Sequence, residues 1–142
     1  MVTYHFHTSH TPYAQAIELY SKYSHVSIEV GGYVYEAVIF DKYSRRGVIK
    51  TPVEFYERDT IVKSVSLELN EREVINFLNE QVGKGYDFMG VLSFVWRVLP
   101  NRMGYWYCSE LATVSLAKGK GITEYSQKQT PEDFYYLTQW SK

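Results

Sequence analysis

An α+β fold, with a small antiparallel sheet packed against helices, is what the sequence predicts, and three observations predict it. His25-Val26-Ser27-Ile28-Glu29-Val30 alternates apolar and polar residues, as a half-buried strand does. Gly31-Gly32 is a hairpin signal, and the aromatic and aliphatic run from Tyr33 to Phe40 supplies a second strand. Later segments place apolar residues at helical spacing between capping residues and glycines. The order is helix, strands, helices, with no repeat or linker between them. The 142 residues therefore form one domain, 1–142, long enough to bury a core.

The elements follow in order. Thr11-Pro12 begins a helix, since proline is tolerated in the first turn, and Tyr13, Ala16, Ile17 and Tyr20 continue it. After the two strands, the polar stretch Asp41 to Thr51 reads as a loop ending near Pro52. Thr60 to Leu69 alternates and is a third strand. Asn70 caps a helix, with Glu73 placed to close a capping box and Val74, Ile75, Phe77, Leu78 and Val82 as its apolar residues. Gly83-Lys84-Gly85 ends it. Asp87 caps another helix, containing Met89, Leu92, Val95 and Trp96, that stops before Pro100. A loop from Asn101 to Gly104 leads to a helix starting near Cys108, which Gly119-Lys120-Gly121 ends. Thr130-Pro131-Glu132-Asp133 opens a last short helix.

Composition removes several classes of function. Acids and bases are interspersed at a formal net charge of −1, so no basic face calls for nucleic acid, although Arg45-Arg46 stands in a loop. The longest apolar run, Phe88 to Leu99, is short of a membrane span and is broken by Ser93 and Arg97, so no stable membrane insertion is expected. One cysteine and no secretory signal predict a reducing, cytoplasmic setting, with export by another route left open. His5, His7 and His10 raise the possibility of zinc, and His5 and His7 would share one face of a strand. Zinc needs three or four ligands, and no second ligand cluster stands out. The expectation is surface histidines, no metal and no other cofactor.

Cys108 stands at a helix start, where unpaired N–H groups and a partial positive charge favour thiolate over thiol. The same N–H groups can hold an oxyanion once the sulfur attacks a carbonyl. A cysteine nucleophile needs a base, and histidine has the right range. If Gly31-Gly32 is a two-residue turn, Val30 opposes Tyr33, Ser27 opposes Glu36 and His25 opposes Val38. His25 and Glu36 are then diagonal neighbours on one face, within reach of each other. A slip of one residue would separate them.

Ser24-His25-Val26-Ser27-Ile28, Tyr35-Glu36-Ala37, Gly85-Tyr86-Asp87-Phe88, Tyr107-Cys108-Ser109-Glu110-Leu111 and Thr130-Pro131, taken in order and spacing, cover most of the chain. Together they resemble the circularly permuted NlpC/P60 group of papain-like cysteine hydrolases, with its YiiX-like and lecithin:retinol acyltransferase-like branches. In that group the histidine strand precedes the cysteine helix, as here. The resemblance implies a permuted papain-like fold with Cys108 as nucleophile, His25 as general base and Glu36 as the third polar residue. It gives Asp87 and Glu110 structural roles and the Cys108 N–H a place in the oxyanion hole; it identifies no side-chain donor there, and Tyr23, Tyr107 and His7 are only candidates. It implies a peptide, amide or acyl-ester substrate and a thioacyl intermediate. A peptidase or amidase, acting on cell-wall peptides, is the first expectation. The lipid acyltransferase or thioesterase branch relies on a membrane-associating segment, and Val91 to Leu99 is more simply a core helix. A non-catalytic peptide- or glycan-binding module on the same fold is the alternative. Oligomeric state is left open.

Overall fold

A computed structural model describes residues 1–19, 21–39, 41, 43–87, 91, 104–124 and 129–141. Its strands are β1 (Val2–His7), β2 (His25–Val30), β3 (Tyr33–Val38), β4 (Gly47–Pro52), β5 (Ile61–Leu67), β6 (Gly85–Tyr86) and β7 (Tyr105–Trp106). Its helices are α1 (Pro12–Glu18), α2 (Glu71–Gln81), α3 (Cys108–Lys120) and α4 (Pro131–Gln139), with a 3-10 turn at Val53–Phe55. The first five strands form one antiparallel sheet in the order β4-β3-β2-β1-β5, while β6 and β7 make a short parallel pair. The fold class is α+β, as the sequence predicts.

The β2–β3 hairpin has the predicted register, with Val30 opposite Tyr33 and Ile28 opposite Tyr35. Gly31 and Gly32 both take positive φ, 59° and 79°, which bends the chain the way a twisted pair of strands needs. Asn70 Oδ1 accepts from the Glu73 N–H, at 3.4 Å, which is one half of the expected capping box. At α4 the box is complete: Thr130 accepts from the Asp133 N–H, and Asp133 accepts from the Thr130 N–H.

Three expectations are corrected. The stretch read as a loop from Asp41 to Thr51 contains β4, paired with β3 along its whole length. Val48 and Ile49 are both buried although they are consecutive, so β4 buries both faces and lacks the alternation that marks a half-buried strand. The chain begins with a strand rather than a helix, and β1 is an inner strand between β2 and β5. His5 and His7 are accordingly buried, at 3% exposure each, and are not surface residues. The helix expected after Asp87 lies outside the described residues except for Val91, whose N–H bonds to the Asp87 carbonyl. Tyr20 and the loop from Asn101 to Met103 lie outside them as well.

The sheet has two unlike faces. Tyr4, Phe6, Val26 and Ile28 point to the helices and share a core with Val74, Leu78, Leu111 and Phe134. The alternate positions, His5, His7, His25, Ser27 and Glu29, face away from it and carry the polar chemistry. Among the described residues no helix is long and apolar enough to cross a membrane.

Candidate active site

Three elements meet at His25. It is the first residue of β2, Glu36 lies on the neighbouring β3, and Cys108 opens α3, which packs on both strands. His25 Nε2 and Glu36 Oε2 are 2.8 Å apart, with 22% and 13% of their side chains exposed. The Cys108 thiol is also within hydrogen-bonding reach of His25. With Nε2 taken by Glu36, Nδ1 is the ring nitrogen available to sulfur. All three residues singled out from the sequence are therefore in one place, and the hairpin register is what brings His25 and Glu36 together.

The electrostatics are those of a charged imidazole. Burial alone pulls the His25 pKa down, but hydrogen bonds to Cys108 and Glu36, and the charges of those two groups, more than offset it and raise it to about 10. Cys108 is a free thiol, 4% exposed. Tyr107, the N-cap of α3, offers no side-chain cap, so its side chain takes up none of the first-turn N–H groups around Cys108. Glu110 stands in that first turn, where an acid suits the helix dipole.

A second histidine adjoins the first. The His7 and His25 rings have centroids 5.2 Å apart. His7 Nδ1 is 2.9 Å from Thr60 Oγ1, and its Nε2 is 2.9 Å from Ser27 Oγ. Burial, then the charges of His25 and His5, push the His7 pKa down to about 2, so His7 is neutral while its neighbour is charged. A histidine whose folded pKa lies below its unfolded value of about 6.5 favours folding above that value and opposes it below. We expect wild-type stability to fall as pH drops from 6.5 toward 2, by about 1.4 kcal/mol per pH unit from this group. His7→Gln, which cannot take up that proton, should show a shallower fall in denaturant titrations at pH 6.5, 5.5 and 4.5. Equal slopes would remove His7 as the cause.

Tyr56 completes the group. Its hydroxyl is 3.0 Å from Ser27 Oγ, 3.3 Å from His7 Nε2 and 3.4 Å from Glu36 Oε2. Sequence reading missed it. Tyr56 follows the 3-10 turn and sits 20 residues from Glu36, with no local pattern to connect them. Of the side chains considered for the oxyanion hole, Tyr23 packs in the core against Phe6 and Tyr135, and Tyr107 is fully buried. Only His7 shares the cleft. His5 pairs instead with Ser64 and Glu29, 2.8 and 2.9 Å away, and Arg58 reaches the same Glu29. Among the described residues no group of histidine, cysteine and acidic side chains is arranged to hold a metal ion.

His7, His25, Glu36 and Tyr56 line a cleft of about 580 Å³. Phe55 and Tyr43, exposed at 63% and 61%, also line it. Cys108 is not among the lining residues and meets the cleft through His25. Compared with protein-family models, curated proteins and solved structures, the chain matches none.

Proposed function

We propose that the chain is a cysteine hydrolase of the permuted papain-like type, a peptidase or amidase with Cys108 as nucleophile, His25 as base and acid, and Glu36 as orienting carboxylate. One observation carries it: a single imidazole lies between a thiol at a helix start and a buried-side carboxylate, and its pKa is raised to about 10. At neutral pH this arrangement favours imidazolium at His25. The thiolate attacks an amide or ester carbonyl, and the oxyanion forms beside the N–H groups that begin α3. His25 gives its proton to the leaving group as the carbon–nitrogen or carbon–oxygen bond breaks. A water, deprotonated by His25, then cleaves the thioester and restores Cys108. Glu36 holds the imidazole in the tautomer and orientation that both steps need.

A binding module in the same cleft is the second reading. The 4% exposure of Cys108, behind the lining residues, favours it. The pH dependence of Cys108 alkylation by iodoacetamide separates the two. The hydrolase predicts a reactive thiol at neutral pH, whose titration midpoint rises toward the free value of about 8.5 in His25→Ala. A slow thiol indifferent to that substitution rejects the hydrolase.

A further inference from the structure

We propose that Tyr56 is a positioning residue of this site, whose hydroxyl donates to Glu36 Oε2 and keeps that carboxylate turned to His25. The inference rests on the hydrolase reading and concerns a residue outside the Cys108–His25–Glu36 set.

The geometry is specific. Glu36 Oε2 is the oxygen bonded to His25 Nε2, at 2.8 Å, and the same oxygen lies 3.4 Å from the Tyr56 hydroxyl. Glu36 lines the cleft, so without a second hold its carboxylate is free to turn toward water. A carboxylate only accepts, so in this contact the phenol donates. Tyr56 has one proton and a second acceptor in range, Ser27 Oγ at 3.0 Å. Glu36 is the charged one, and charged acceptors make the stronger bond. The phenol oxygen accepts from His7 Nε2–H, 3.3 Å away, and His7 Nδ1 accepts from the Thr60 hydroxyl. Each contact in this chain is 2.9 to 3.4 Å long. It leaves His7 neutral, in agreement with its lowered pKa.

The backbone holds the phenol in place. The Tyr56 N–H bonds to the Val53 carbonyl at 3.2 Å, and the Val53 N–H bonds to the Gly32 carbonyl at 3.1 Å, which ties the turn to the hairpin that carries His25 and Glu36. The titratable and charged groups facing this pair are His25, Cys108, His7 and Arg58. Arg58 reaches Glu29 and so leaves Glu36 to His25 and Tyr56.

The test is the alkylation profile of Cys108 in wild type, Tyr56→Phe, Glu36→Gln and the double variant, with thermal melts to confirm folding. Tyr56→Phe should raise the titration midpoint by about half to one pH unit, as expected for the loss of one long charge-assisted hydrogen bond. In the Glu36→Gln background it should add no further shift, because there is no charge left to hold. An unchanged midpoint in Tyr56→Phe, or an equal shift in both backgrounds, overturns the inference. A wild-type thiol indifferent to His25→Ala overturns the hydrolase reading instead, so the two failures are distinct. Should Tyr56→Phe not fold, the ¹³Cζ resonance of Tyr56 is read in wild type and Glu36→Gln. A moved signal supports donation to the carboxylate, and an unmoved one overturns it.

Discussion

His25→Ala is expected to lower the turnover of an activated ester such as p-nitrophenyl acetate by about 10²–10⁴-fold while the protein stays folded. In the proposed mechanism His25 both takes the thiol proton and supplies the leaving group with one, so its loss removes both transfers. The fold survives because His25 is the first residue of β2 and lies on the polar face, outside the apolar core. Mass spectrometry of the quenched reaction should find acyl groups on wild-type Cys108 and few on the variant. Turnover that survives the substitution would end the proposed mechanism. The same residue also sets an alkaline limit on stability. Its folded pKa, about 10, is above its unfolded value of about 6.5. Its contribution is therefore complete below about pH 6.5 and is lost as pH rises toward 10. The alanine variant should lack that fall between pH 7 and 10.

Phe134→Ala should be the most destabilising substitution of a single α4 residue, at a cost of about 3–5 kcal/mol. The ring is fully buried, with its centroid 5.0 Å from that of Tyr4 and 6.0 Å from that of Phe6. Both neighbours belong to β1, so this one side chain clamps α4 to an inner strand of the sheet. Tyr4 cannot easily fill the space, because its hydroxyl is 3.1 Å from Ser115 Oγ on α3. Urea unfolding with an unchanged m-value would measure the cost directly. A loss below about 1 kcal/mol would mean that the core closes over the gap.

The site was more legible than the sheet that carries it. A two-residue glycine turn fixes register, and register alone places His25 beside Glu36. Cys108 was legible because a helix start is written in local residues, as was the α4 start at Thr130. β4 was not legible, since Val48 and Ile49 are buried on opposite faces and remove the period on which strand recognition depends. The burial of His5 and His7 was not legible either. It depends on hydroxyls at Ser64, Thr60 and Ser27, between 20 and 59 residues away, and on β5 returning to pair with β1. Tyr56 belongs to the same class: its role is set by what the sheet brings near it.

The strand order has a consequence for the sequence of folding events. The β2–β3 hairpin closes a two-residue turn and can form on the microsecond scale of isolated hairpins. β1 can pair with the nearby β2, but its other edge must wait for β5, because Val2 pairs with Leu67 and His7 with Ile61. Cys108 comes from a helix more than seventy residues beyond Glu36. Loop closure of that length is slow, and contacts this distant in sequence dominate folding time. The histidine–glutamate pair is thus local to one hairpin, whereas Cys108 reaches it through contacts distant in sequence. On the proposed mechanism, a chain still emerging from the ribosome would carry the histidine–glutamate pair without the thiol, and hydrolysis would begin only with its final helices.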